Sequence, residues 1–341
     1  MRKLVITVEN LGIDDATSHA VLEAIKKQTI TSTSLVANGE SYKNAVSIIK
    51  TNPNLDIGVS LNITEGKSLS NRYFSPITAN DGYFDKNFFQ LLLFSRDEQL
   101  LKHIEAEFRA QIEKIINSGV KPQYIASIEH VHMIPNIFNI VCKLAKEYGI
   151  ENIRTHKEPF YVTPELIKHL NKNYLQNLCR HFFLNVINIF NLRTLGKYEL
   201  LTNKNIIGTL YHFQMDIESI LFGINALHKN TIAEILLHAT TNKWRHAEYL
   251  EYKTLIHPDL LEQIANLNAQ LASRSEISKS STIEIESTDE IGTTSPEKFE
   301  YYCGNIVSSD IEEFETIVHT ENLAKILNSE KINGHDVQSV L

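Results

Sequence analysis

The sequence predicts an α/β protein of the (β/α) barrel type, on three observations. The first 66 residues alternate strand-like and helix-like patterns, the strand-like runs end in polar loops, and 43% of the 341 residues are hydrophobic. A β-α-β-α-β rhythm implies parallel strands, and a chain of this length and apolar content can fill one large core. In such architectures, active sites gather in the loops at the C-terminal ends of the strands.

The elements follow in order. Val5–Val8 reads as a strand, delivering Glu9, Asn10 and Gly12 to its C-terminal edge. Asp14 to Lys27 reads as a helix whose apolar stripe is Ala20, Val21, Ala24 and Ile25. Ser32–Val36 is a second strand, Tyr42–Lys50 a helix closed by Pro53, and Leu55–Asn62 a third strand. Residues 67–95 form an irregular insertion carrying Tyr73, Phe74, Tyr83, Phe84, Phe88 and Phe89. Asp97–Ser118 is a long amphipathic helix stopped by Gly119.

Tyr124–Ile128 is the next strand. Continued through Glu129, His130, Val131 and His132, its alternation points both histidines to one face. Helix at Pro135–Tyr148, strand at Asn152–Arg154 and helix at Thr163–Asn191 follow. Ile206–Thr209, Ser219–Leu227 and Ile232–His238 repeat strand, helix, strand, and Arg245–Leu271 is mostly helix.

Composition changes near Ala272. A domain over residues 1–271 is expected, then a disordered Ser-, Thr- and Glu-rich linker at 272–308 and an acidic tail at 309–341. Residues 276–341 hold 14 Asp and Glu against 4 Lys and Arg, so the tail carries the net charge of −8 and the body is nearly neutral. A short amphipathic helix is expected at Ser309–Asn328, with Ile311, Phe314, Ile317 and Val318 on one face able to dock a protein partner. Glu312-Glu313-Phe314-Glu315 resembles acidic C-terminal export signals of effectors from intracellular bacterial pathogens.

Other function classes are disfavoured. Without a basic stripe interleaved with aromatics, nucleic acid is not an expected partner. No apolar run of 18 residues marks a membrane span, and the segment before Glu9 is too short for a secretory signal. Cys142, Cys179 and Cys303 form no C-x-x-C pair, which argues against a disulfide framework. A reducing, cytoplasmic location is expected.

Several ordered stretches resemble the YdjC-like (ChbG/HpnK) carbohydrate deacetylases. They are Thr7-Val8-Glu9-Asn10-Leu11-Gly12, Thr31 to Gly39, Gly58-Val59-Ser60-Leu61-Asn62-Ile63-Thr64-Glu65-Gly66 and Asp81-Gly82-Tyr83-Phe84. Glu107–Gln111, Ser127 to His132 with Pro135, Ile153-Arg154 with Glu158, and Glu234 to His238 complete the set. The resemblance covers about residues 3–270 and implies a barrel related to the polysaccharide deacetylases. It also implies a divalent metal, Mg or Zn, that activates water to remove an N-acetyl group from an amino sugar or N-acetylated oligosaccharide.

The resemblance places Glu9 where members carry the catalytic base and His238 where they carry a candidate acid. It places Asn10, Ser60 and Ile128 at the metal-ligand positions, where members have Asp, His and His. An amide, a hydroxyl and an alkyl group replace a carboxylate and two imidazoles, removing most of the donor strength. Arg154, Glu158, His130 and His132 are candidates for binding substrate. His130 and His132 also read as a displaced metal pair or as polar pocket residues, Arg154 and Glu158 as a loop ion pair, and Asn62 and Glu65 as residues that order their loop. His19, His103, His169 and His181 read as ordinary helix residues, and Trp244 with the aromatics of 73–89 as a sugar-stacking platform or loop anchors. Three functions fit: a divergent deacetylase, a pseudoenzyme that binds sugar or acts as a scaffold, and an interaction protein working through its tail.

Overall fold

A computed structural model of the chain describes residues 1–70, 75–164, 166–170, 172–203 and 205–276. The expected linker from 277 onward, the acidic tail with its helix and export-like segment, Cys303, and Tyr73 and Phe74 lie outside the described residues.

Among the described residues, eight parallel strands form one sheet: β1 (Arg2–Leu11), β2 (Ser32–Leu35), β3 (Asp56–Leu61), β4 (Tyr124–Ser127), β5 (Asn152–Ile153), β6 (Asn205–Ile207), β7 (Ile232–Leu237) and β8 (Ala269–Leu271). Their order is β5-β4-β3-β2-β1-β7-β6, and β8 pairs with the first residues of β1. The two ends of that order approach each other, for Ile206 N–H donates to Lys157 O at 3.0 Å. The helices are α1 (Asp15–Lys26), α2 (Tyr42–Thr51), α3 (Phe88–Leu93), α4 (Glu98–Asn117), α5 (Pro135–Tyr148), α6 (Leu166–His169), α7 (Lys172–Lys197), α8 (Ile217–Ala226), α9 (His246–Leu255) and α10 (Leu260–Asn266). The expected α/β barrel-type architecture is borne out.

Side-chain alternation decides what each face of the sheet holds. In β1, Leu4, Ile6 and Val8 join the main apolar core with Val21 and Ala24 of α1. Each such buried aliphatic side chain contributes about 1.5–3 kcal/mol. The opposite positions, Thr7 and Glu9, face the barrel interior together with Ser32, Ser60, Tyr124 and Glu234, all buried. The interior is therefore polar, while the apolar core lies between sheet and helices.

Local chemistry sets the boundaries. The Asp14 carboxylate caps α1 by accepting from Thr17 N–H at 2.6 Å, and Asp97 caps α4 through Gln99 and Leu100 N–H groups at 2.7 and 3.2 Å. Gly119, expected to stop α4, has φ of 86°, a conformation that costs other residues more. Gly58 is required by proximity, because a Cβ there would lie 2.3 Å from the Tyr124 ring. Glu107 and Gln111 on the inner face of α4 fasten the loop after β3. Glu107 accepts from Leu69 and Ser70 N–H, and Gln111 exchanges hydrogen bonds with the Asn62 backbone. The Asn62 side chain in turn accepts from Thr64 and Glu65 N–H, so it orders its own loop.

The region from Arg245 to Leu271 is mostly helix as expected, divided into α9 and α10, and it ends in β8. Two expectations are corrected. The histidine run after β4 is not strand. The strand stops at Ser127, and Ile128–Met133 is a tight 3-10 turn in which Glu129 and His130 take left-handed conformations, φ 52° and 57°. Helical content in 163–191 begins later than expected and reaches further, as α7 ends at Lys197.

Candidate functional site

The interior charges form one connected group. Glu234 on β7 accepts from Thr7 Oγ1 at 2.7 Å, from Arg154 Nε at 3.1 Å and Nη2 at 2.7 Å, and from Arg274 Nη2. Burial opposes its charge, but Arg154 and Arg274 outweigh burial and bring its pKa down to about 2. Arg154, 1% exposed, gives its remaining nitrogen, Nη1, to Glu9 Oε1. Tyr124 is stacked by both cations, with guanidinium carbons 5.4 Å (Arg154) and 3.4 Å (Arg274) from its ring centroid. Arg274 follows β8, so the packed chain continues past Leu271, and its backbone N–H donates to Asp56 at 2.6 Å.

Glu9 sits above this group at the C-terminal end of β1. Burial works against its charge, yet Arg154 and the nearby His238 hold its carboxyl well below the usual range. His238, just beyond β7, places Nε2 3.5 Å from Glu9 Oε2. Its backbone N–H donates to Glu251 of α9 at 2.6 Å. Burial raises the Glu251 carboxyl to about 7, against the opposing pull of His238 and of the His238 and Met215 N–H groups. His212 and Phe213 pack edge-on against the His238 ring, with centroids at 4.5 and 5.1 Å. The residues at the base and acid positions of the resemblance, Glu9 and His238, thus stand beside each other. Glu251 had no sequence signal beyond its place on a helix.

Two of the metal-ligand positions of the resemblance, Asn10 and Ser60, meet beside Glu9. Asn10 has φ of 63°, and its Oδ1 accepts from Ser60 Oγ at 3.0 Å. Its N–H donates to Ser34 Oγ at 3.2 Å, while Ile128 is a buried alkyl group. An amide and a hydroxyl bonded to one another, and an alkyl group at the third position, offer neither anionic oxygen nor imidazole. These three residues do not fit the divalent ion the resemblance implies.

The turn after β4 separates the two histidines. His132 is fully buried; its Nδ1 accepts from Ser127 Oγ at 2.5 Å and its Nε2 donates to Arg154 O at 3.0 Å, in the neutral tautomer those partners require. Burial, opposed by the Arg154 carbonyl, lowers its pKa to about 4. Both ring nitrogens serve the framework that holds Arg154. His130, also buried, has its pKa lowered to about 3 by burial despite the nearby Glu9. Its ring lies 6.3 Å from that of His132 and 6.1 Å from that of His156.

Arg154 and Glu158 do not clamp a common group. Arg154 turns to Glu9 and Glu234. Glu158 accepts from the N–H groups of Gly208, Thr209 and Leu210 at 2.7, 3.2 and 2.9 Å and from His181 Nδ1 at 3.0 Å. His156, Glu158 and His181 form a buried group whose ligand atoms lie within 4.8 Å of one another, a set able to hold a metal ion. Burial, reinforced by His130 and His181, holds the His156 imidazole well below its usual pKa and therefore neutral. His181 corrects the expectation of an ordinary helix residue: α7 brings it to the segment after β5. His156 and Glu158 alternate directly after the matched Arg154, a signal the sequence did contain. Trp244 is 95% exposed.

Among the described residues, no helix is long and apolar enough to cross a membrane. A family model described as YdjC-like protein matches residues 3–266. A carbohydrate deacetylase of Clostridium beijerinckii is 29% identical over 234 residues, which is 60% of this chain and 93% of that protein. A carbohydrate deacetylase of Listeria welshimeri is 34% identical over 156 residues, 46% of this chain and 62% of its own. Among solved structures, a protein of Enterococcus faecalis named for cellobiose-phosphate cleavage superposes with a TM-score of 0.62. The match covers 81% of this chain and 98% of that one at 20% identity, and it speaks to the fold alone. The sequence resemblance is borne out: the chain belongs to the YdjC-like family, the family of the carbohydrate deacetylases it matches.

Proposed function

We propose that the protein recognises an N-acetylated amino sugar or oligosaccharide at the C-terminal ends of its barrel strands. Glu9 and His238 are its acid–base pair, and the metal-dependent hydrolysis expected of the family is impaired. One juxtaposition carries this reading: the Asn10–Ser60 hydrogen bond directly follows Glu9 of the Glu9–His238 pair. The groups that would orient an acetamide remain, while the Mg or Zn of the resemblance has lost its donors. A carboxylate held strongly ionised by Arg154 is also a weak base, since proton abstraction is most effective when the base titrates near the working pH. In this reading Arg154 and His132 position Glu9, and His238 with His130 faces the sugar. The curated relatives, named carbohydrate deacetylases, support the substrate class.

The test is calorimetric titration with N-acetylated chitooligosaccharides, paired with an assay of acetate release. Binding is expected, weakened on the order of 10-fold or more in His238→Ala, with acetate release at the buffer rate. No binding would remove the recognition half of the proposal, and sustained acetate release would remove the impairment half. A second reading, retained hydrolysis, is favoured by the His156–Glu158–His181 group.

A further inference from the structure

We propose that His156, Glu158 and His181 form a binding site for a transition-metal dication of the zinc class, distinct from the Asn10–Ser60–Ile128 position. Three observations carry it. One donor atom from each residue lies within 4.8 Å of the others, close enough to share an ion. His156 is 1% exposed, and both its ring nitrogens lack a hydrogen-bond partner. A buried imidazole left this way carries an uncompensated desolvation penalty, which a coordinate bond offsets. Glu158 is held by three backbone N–H groups from the loop after β6, so its carboxylate is fixed before any ion arrives.

The donor chemistry selects the ion. Two imidazoles and one carboxylate suit zinc and its neighbours, whereas magnesium prefers a shell of oxygens. The ion enters at the His181 Nδ1–Glu158 Oε2 hydrogen bond. The imidazole proton moves to Nε2, which gives up its 3.3 Å hydrogen bond from Asn185 Nδ2; Nδ1 and Oε2 become donors, and no proton is lost overall. A fourth position is left for water. Bound there, the ion ties α7 to the segment after β5. The His130 ring packs edge-on to His156 at 6.1 Å and also feels the charge of Glu9.

The experiment is zinc titration of the chelator-treated full chain, read by elemental analysis and melting temperature. One zinc per chain and a raised Tm are expected. His156→Ala and His181→Ala should each weaken binding on the order of 100-fold, while Asn10→Ala/Ser60→Ala keeps wild-type affinity. If the histidine variants fold poorly, imidazole nitrogen resonances of the wild type replace them, and those of His156 and His181 should move on zinc addition. A Tm indifferent to zinc, zinc retained without His156, zinc lost on changing Asn10 and Ser60, or unmoved resonances would each overturn the proposal. No sugar enters the titration, so its failure leaves sugar recognition by the Glu9–His238 pair standing, and failure of sugar binding leaves the zinc site standing.

Discussion

Arg154 grips Glu234 with two nitrogens, Nε to Oε2 at 3.1 Å and Nη2 to Oε1 at 2.7 Å, and turns its third to Glu9. One guanidinium thus bridges two carboxylates inside the barrel, in the forked geometry that arginine favours. Removing one partner of such a group leaves charge buried and unpaired. Arg154→Met should therefore destabilise the protein by about 3–5 kcal/mol, measured by urea unfolding. A loss near zero would mean the two acids find other partners or protons.

The contact of Gly58 with Tyr124 makes a second prediction. A methyl group at position 58 meets the ring at 2.3 Å, and the ring is held by the Arg274 guanidinium and by the Ser32 hydroxyl at 3.1 Å. Gly58→Ala should cost about 1–3 kcal/mol through overpacking. Combining it with Tyr124→Leu should cost less than the two single changes added together, and strict additivity in thermal melts would refute the contact.

Stability should depend on pH from both sides. Glu251 titrates at about 7 in the folded state against 4.5 for the free side chain, so the native state keeps a proton that the unfolded chain releases. Its contribution is full below the unfolded value and is lost as pH rises through about 7. His130 and His132 act oppositely. Their folded values of about 3 and about 4 lie below 6.5, so their contributions are full above 6.5 and are lost as pH falls through those folded values. Glu251→Gln should gain up to ~3 kcal/mol relative to wild type at about pH 8 and little at about pH 4. Equal differences at the two pH values would contradict the burial of that carboxyl.

Restoring donors tests the proposed loss of the metal position directly. Asn10→Asp with Ser60→His and Ile128→His should bind a divalent ion there more tightly than the wild type does, seen as a larger chelator-sensitive rise in Tm. If the triple variant folds and gains no ion, the surrounding strands have diverged beyond the three side chains.

Much of this was legible in the sequence, because it is written locally. The apolar run Val5–Val8, the Asp14 cap and the Gly119 stop each encode their element within a few residues. The turn at Ile128–Met133 was not legible: its polar and apolar residues alternate as a strand's would, and left-handed Glu129 and His130 carry no glycine to announce them. β8 was hidden because three residues paired to β1 leave no periodicity of their own.

The site divides the same way. Glu9, His238 and the substituted Asn10, Ser60 and Ile128 could be placed by motif, whereas His181 gains its meaning only when α7 folds back onto the segment after β5. Arg274 stands in a Ser-rich stretch whose composition conceals a buried cation.

The position of Arg274 has a consequence for biosynthesis. Glu234 receives its second counter-ion from a residue forty positions later, so a nascent chain that has exposed every strand through β7 still holds an under-neutralised acid at its centre. The barrel can settle only after the ribosome has released residue 274, which makes the last described turn a latch on the first strand's neighbours.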